Sequence, residues 1–346
     1  MPKTKKYEIT YGDGRSLKTN FYHPLSDTEC QEIRSKLRTL PEKHKVAISL
    51  RKFHLGSNLV INIVNYYVRS LMDKVKIKGW SCTVEEVIDN DDILRHFYAM
   101  IKYYSNVYPI DKSIEYNLRM LFRIGGASIT STPANFPTKE VDNIFEVYNI
   151  NNNYYDFSCG WGNRMLSSLR SNVNYFGTDP NTELVKQLNN LYSDYVIANN
   201  NLTRFVDIRC TGSEIFHSEW ENMIGLAFSS PPYFDLEDYK IGEQSYKDGI
   251  NYQQWLANYM IPTIENIKKY LITGGYLIIN IKNSKEFNLY DDVYDICCNL
   301  GLTYQTKLKL GNIKRPTANQ IDIDEYMMVF SKGTPIIKKI LTIEDF

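Results

Sequence analysis

Residues 223–239 read MIGLAFSSPPYFDLEDY, and the middle of that stretch decides how the chain folds. Met223–Phe228 is an apolar run about as long as one buried strand. Pro231 and Pro232 then stop it. Neither proline donates to a ladder, so the chain leaves the sheet here. Each also restricts the residue before it, which makes the exit rigid. Ser229 reads as strand-end backbone. Beyond it the exit presents a hydroxyl from Ser230, a carbonyl from Pro231 and a ring from Tyr233. That set suits a planar ring carrying an amino group: Ser230 Oγ and the Pro231 carbonyl accept from the amine, and Tyr233 stacks. The plainer alternative is a proline turn with a surface tyrosine. Phe234 either supports Tyr233 or packs inward. Asp235 and Glu237 follow on a loop, as orienting acids or as solvated charges.

Working outward, the same region alternates strands with helices. NYYDFSCGWGN (153–163) is a short strand and a glycine turn, and RMLSSLR (164–170) is helical. VNYFGTDPN (173–181) is a strand ending in an acid, followed by the helix TELVKQLNNLYSDYVIA (182–198). TRFVDIRCTGSE (203–214) is a third strand. After the proline exit come a helix over 252–271, a Gly-Gly turn and strand in ITGGYLIINIKN (272–283), a helix over 289–301, and YQTKLKL and EYMMVFSKG as an antiparallel pair. This alternation predicts an α/β fold with a doubly wound, Rossmann-like sheet. In such sheets ligands bind at the carboxyl ends of the strands, near the switch point.

Upstream the rhythm is helical. SDTECQEIRSKLRTL, LVINIVNYYVRSLMDKV and DILRHFYAMIKYYSNV all carry helical periodicity, the first with Ser26 and Glu29 placed as a capping box. The Gly/Ser/Thr/Pro segment 124–138 reads as a loop. The expected division is therefore residues 1–130, a mostly helical N-terminal domain, and residues 131–346, the sheet domain. Formal net charge is zero, yet residues 1–60 hold roughly twice as many basic as acidic residues, in KTKK, RSKLR, KHK and RK. That pattern is either a nucleic-acid footprint or a solvated helical face. The six cysteines show no CxxC spacing, which points to reduced thiols, a cytoplasmic setting and no structural metal. MPKTKKYEIT has no apolar signal region, and no apolar run approaches the roughly 18 residues of a membrane span.

Three strand ends besides the proline exit carry candidate residues. Asp156, Ser158, Gly160 and Gly162 form a turn that lets a ligand approach bare backbone, or that merely closes a βα unit. Asp179 is placed to accept from both ribose hydroxyls of a nucleoside cofactor, or to cap the helix after it. Ser213 and Glu214 follow the third strand, where they meet an adenine edge or form a turn and cap.

In this order the features resemble the class I S-adenosylmethionine-dependent methyltransferases that modify exocyclic amino groups of DNA bases. That family has a DxxxGxG-like cofactor loop, an acid after the second strand and a (D/N/S)PP(Y/F) motif after the fourth, matched here by Asp156–Gly162, Asp179 and Ser230-Pro231-Pro232-Tyr233. Its phenylalanine-containing cofactor segment is similar to ANFPTKEV, making Phe136 and Pro137 candidates. The chain departs at Phe157, where the family has proline, and at the bulky Trp161. The resemblance covers roughly residues 131–335 and implies S-adenosylmethionine as cofactor and a flipped DNA base as substrate. The serine variant is typical of the cytosine-N4 branch. Adenine N6, RNA or a protein amide are the alternative targets. A binding module that does not turn over is the non-enzymatic alternative. No Pro-Cys pair occurs, which sets cytosine-C5 chemistry aside.

Overall fold

The computed structural model describes residues 7–10, 16–19, 25–39, 57–103, 113–123, 129–199, 204–234, 236–239, 243–246, 249–284, 286–309 and 326–336. β1 (Tyr7–Thr10) and β2 (Ser16–Thr19) pair antiparallel. α1 (Asp27–Arg38) begins with the expected capping box: Ser26 Oγ accepts from the Glu29 N–H, and the Glu29 carboxylate accepts from the Ser26 N–H. α2 (Ser57–Met72) leads into the two-residue β3 (Lys76–Ile77). α3 (Val84–Asp89), α4 (Asp91–Tyr103) and α5 (Ile114–Arg123) follow. The apolar faces of α1, α3, α4 and α5 bury one another in a core of their own, around Phe97, Leu118 and Phe122.

The rest of the chain builds a seven-stranded sheet. α6 (Thr138–Tyr148) precedes β4 (Asn153–Asp156), α7 (Asn163–Arg170), β5 (Asn174–Thr178), α8 (Thr182–Ala198) and β6 (Val206–Arg209). β7 (Ile224–Ser229) and the short β8 (Glu237–Asp238) come next. α9 runs as Tyr252–Trp255, a π-helical turn Leu256–Met260, and Ile261–Tyr270. The wider turn sits directly ahead of Pro262, which cannot donate the regular helical bond. β9 (Leu271–Asn280), α10 (Leu289–Asn299), β10 (Thr303–Lys309) and β11 (Tyr326–Ser331) complete the described chain.

The sheet order is β10-β11-β9-β7-β4-β5-β6. β6, β5, β4, β7 and β9 are parallel, while β11 runs antiparallel to β9 and β10 antiparallel to β11. This is the expected doubly wound α/β sheet. From β4 the chain winds outward through β5 and β6, then returns to start the other half at β7. The switch point therefore lies between β4 and β7, and the glycine turn and the SPPY exit flank one crevice. Strand periodicity sorts the side chains into two layers. Tyr154, Leu226, Phe228 and Ile278 face α6, α7 and α8, whereas Tyr155, Ala227, Leu277 and Ile279 face α9 and α10.

Two features differ from the sequence reading. α2 does not join the N-terminal helices: Ile63, Val64, Val68 and Met72 pack into the sheet's first layer beside α7 and α8, so the core of the sheet region reaches upstream of residue 130. Gly274 and Gly275 form no separate turn; β9 runs through them as an irregularity in its pairing with β7, with Gly274 at φ +79°. Their bare backbone lets Lys332 bond both, donating to Gly275 O and accepting from Gly274 N–H. The basic residues of RSKLR are ion-paired within the helical cluster. Arg34 pairs with Asp91, Arg38 with Asp89, and Lys36 lies 3.9 Å from Glu115. KTKK, KHK and RK lie outside the described residues. No described helix is long and apolar enough to cross a membrane.

Candidate functional site

The glycine turn after β4 is shaped from beneath. Asp156 is fully buried, and both its oxygens are taken: Arg164 donates Nε to Oδ2 at 3.0 Å and Nη2 to Oδ1 at 3.1 Å, and the Tyr175 hydroxyl donates to Oδ2 at 3.0 Å. Arg164 also donates to the Ser158 carbonyl and to Ser229 Oγ, and Ser229 Oγ in turn donates to Ser158 O at 3.0 Å. One buried guanidinium thus ties the end of β4, the turn and the end of β7 together. The partnered Asp156 charge holds the Arg164 pKa above its ordinary value despite burial. The candidate Asp156 acts on the crevice through Arg164 and Ser158 rather than by reaching into it. Ser229 is also more than strand-end backbone, because its side chain joins the two strand ends.

The turn itself needs glycine. Gly160 and Gly162 have φ of +54° and +91°. At Gly162 a Cβ would lie 2.6 Å from Leu188 Cδ2, and at Gly160 one would lie 3.2 Å from Arg164 Nη2. Trp161 between them turns into the first core layer, against Tyr239, and Phe157 turns into the second, against Tyr155. Both departures from the family pattern are packed away from the turn. Phe136 sits alongside: its carbonyl accepts from Asn163 Nδ2 at 3.1 Å, and its ring meets Phe228 edge-on and lies 5.9 Å from the Arg164 guanidinium carbon. Pro137 is the residue from which α6 starts, without a side-chain cap.

Asp179 stands just past β5. It does not cap α8, since Asn181 does, accepting from the Leu184 N–H at 3.1 Å. Asp179 Oδ1 accepts from the Asn181 N–H at 3.0 Å. Burial pushes this carboxyl up to about 7, opposed by the N–H groups of Asn181 and Gly160. After β6, Ser213 turns inward, its hydroxyl 2.8 Å from that of Thr263 on α9 and its carbonyl accepting from Asn266. No helix begins there. Glu214 instead folds back over Gly212, and its Oε2 is buried without a hydrogen-bond partner among the described residues. An unmatched buried acceptor in the loop after β6, the strand next to the one that runs into Asp179, fits the polar edge of an adenosyl group.

At the proline exit, Pro231 is buried and Ser230, Pro232 and Tyr233 are half-buried. Phe234 takes φ +58° and packs inward against Tyr246, Tyr252, Trp255 and Phe287. A left-handed aromatic residue costs on the order of 1–3 kcal/mol, offset here by its burial. The chain is then pinned, as β8 pairs with β3 and the Lys78 N–H donates to Leu236 O. Asp235 lies outside the described residues, and Glu237 pairs with Ile77 through its backbone. The sequence reading missed Asn280 at the end of β9. Its Nδ2 donates to Ser230 Oγ at 3.0 Å and to the Tyr233 hydroxyl at 3.3 Å, and the Tyr233 hydroxyl donates to Asn280 O at 3.2 Å. The available signal was an amide inside the apolar run YLIINI.

No family model matches the sequence, and no curated protein does. Several solved structures are similar in fold. A geranyl diphosphate methyltransferase solved with geranyl diphosphate and sinefungin is 9% identical, with a TM-score of 0.39, covering 57% of this chain and 78% of that one. A TehB-like SAM-dependent methyltransferase from Corynebacterium glutamicum is 12% identical, with a TM-score of 0.39, over 63% and 97% of the two chains. An rRNA methylase from Streptococcus thermophilus is 16% identical, with a TM-score of 0.37, over 58% and 99%. At these identities and scores the likeness adds nothing to what the strand order states, a doubly wound α/β sheet with its switch point between β4 and β7.

Proposed function

We propose that the protein transfers a methyl group from S-adenosylmethionine to an exocyclic amino group of a DNA base, at cytosine N4. The observation that carries the reading is the Ser230-Pro231-Pro232-Tyr233 exit at the end of β7, on the same crevice as the glycine turn and Asp179. The cofactor supplies an electrophilic methyl group. Asp179 accepts from its ribose hydroxyls, Gly160 and Gly162 offer bare backbone to its methionine end together with Phe136 and Pro137, and Glu214 Oε2 accepts from its adenine amino group. Ser213 supports that loop from behind, through Thr263 and Asn266.

An exocyclic amine is a weak nucleophile because its lone pair is delocalised into the ring. Ser230 Oγ and the Pro231 carbonyl accept from its two N–H groups, which favours a pyramidal nitrogen with its lone pair aimed along the transfer axis. With the cofactor bound, its sulfonium would supply the methyl group to that nitrogen, and the methylated amine would release its extra proton to solvent. No protein nucleophile takes part. Most of the rate comes from alignment, for which effective molarities reach about 10⁵–10⁸ M. Extruding a base from a duplex costs a few kcal/mol, and stacking on Tyr233 returns roughly 1–3 kcal/mol.

The test offers methyl-labelled cofactor with DNA, RNA and amide-containing peptides. Label in DNA cytosine at N4 is the expected result. Label at adenine N6, in RNA or in peptide moves the substrate but keeps the amine or amide chemistry. No label anywhere, together with nucleic-acid binding, supports the non-enzymatic reading. The bulk of Phe157 and Trp161 does not favour that reading, because both pack into the core.

A further inference from the structure

We infer that Asn280 is a positioning residue of the amine-holding exit, fixing Ser230 and Tyr233 together across the two prolines. This role rests on the amine-methylation reading. Asn280 is 3% exposed and ends a strand whose preceding residues Leu277, Ile278 and Ile279 are buried and apolar. A strand between β7 and β11 needs only an apolar side chain there, and burying an amide is unfavourable unless it is hydrogen-bonded. The register brings it to the motif, because Ser229 pairs with Ile279, which sets Ser230 beside Asn280. One amide then serves both functional side chains. Nδ2 reaches Ser230 Oγ at 3.0 Å and Tyr233 Oη at 3.3 Å, and the backbone carbonyl takes the tyrosine proton at 3.2 Å.

The chemical consequence lies at Ser230. A hydroxyl has two acceptor sites and one proton, and it rotates freely when unbound. Donation from Asn280 occupies one acceptor site and stops that rotation, leaving the second acceptor site for the amine. The Tyr233 hydroxyl is held by the same residue, so the far end of the stacking side chain is fixed relative to the acceptor. Asn280 touches neither base nor cofactor in this account.

The test is a double-mutant cycle on the full chain, read with labelled cofactor and DNA, alongside cofactor affinity and thermal melting. Asn280→Ala is expected to lower kcat roughly 10–100-fold through misplacement of the acceptor, with cofactor affinity unchanged. In a Ser230→Ala, Tyr233→Phe background the same change should cost less than about threefold, because the groups it positions are gone. Asn280→Asp, of equal size but without the N–H donor, should lose kcat to a similar extent. Unchanged kcat in both variants overturns the role. An equal loss in both backgrounds, or a loss of cofactor affinity instead, does the same. Failure of both variants to fold assigns the amide to the fold and overturns it too. A wild-type protein that methylates nothing overturns the amine-methylation reading itself, which separates the two failures.

Discussion

The glycine turn and the proline exit, on either side of the switch point, are fixed by opposite chemistry. At β4 a buried ion pair does the work: Asp156 is held by Arg164 and Tyr175, with every oxygen matched. That guanidinium also reaches Ser229 at the end of β7, but the proline exit beyond it is fixed by neutral groups, through the Asn280 amide on Ser230 and Tyr233. A buried charge pair is rigid and costly to disturb, which suits a turn that presents backbone to a ligand. A neutral amide orients a hydroxyl without placing charge beside a weak nucleophile. The fold's stability is therefore expected to depend on the first end and the reaction on the second.

Four substitutions put that contrast to the test. Arg164→Ala leaves the Asp156 carboxylate buried and unpaired, and stability should fall by about 3–5 kcal/mol in chemical denaturation. Ser230→Ala should do the reverse, lowering kcat roughly 10²–10³-fold while the melting temperature hardly moves. Asp179→Asn should weaken cofactor binding roughly 10–100-fold, since a hydrogen bond to a charged acceptor is lost. It should also remove a pH dependence. The wild-type carboxyl titrates at about 7, raised by burial, so cofactor affinity should be flat above that pH and fall as Asp179 protonates below it. The same raised pKa means the folded protein binds this proton more tightly than the unfolded chain. Its contribution to stability is present at low pH and is lost as pH rises through about 7. Calorimetric titrations between pH 5.5 and 8.5 check the binding arm. The smallest effect is expected at Arg38→Ala, whose partner Asp89 is half-exposed, with a loss of no more than about 1 kcal/mol.

The same contrast explains what was legible in the sequence. Strand and helix periodicity gave the alternation, and the prolines, glycines and Asp179 announced themselves because each constrains its own backbone or stands at a strand end. Partners far apart in the chain left weaker traces. Arg164 reads as one basic residue in a short helix, and nothing local says that it turns inward to Asp156. Asn280 was a polar residue in an apolar run, a signal passed over because a strand tolerates one amide. α2 showed an apolar face, yet periodicity does not say which neighbour covers it, and Ile63, Val64 and Met72 went to the sheet rather than to the helical cluster. The pairing of β3 with β8 involves two residues on each side, too few for a period-two pattern.

Ser230, Pro231 and Tyr233 are proposed to hold an exocyclic amine of a DNA base for methylation. Nucleoside mass spectrometry of DNA from cells expressing the protein tests it most directly. N4-methylcytosine that disappears with Ser230→Ala is the expected result. Methylation at cytosine C5, or DNA with no methylated base at all, would contradict it.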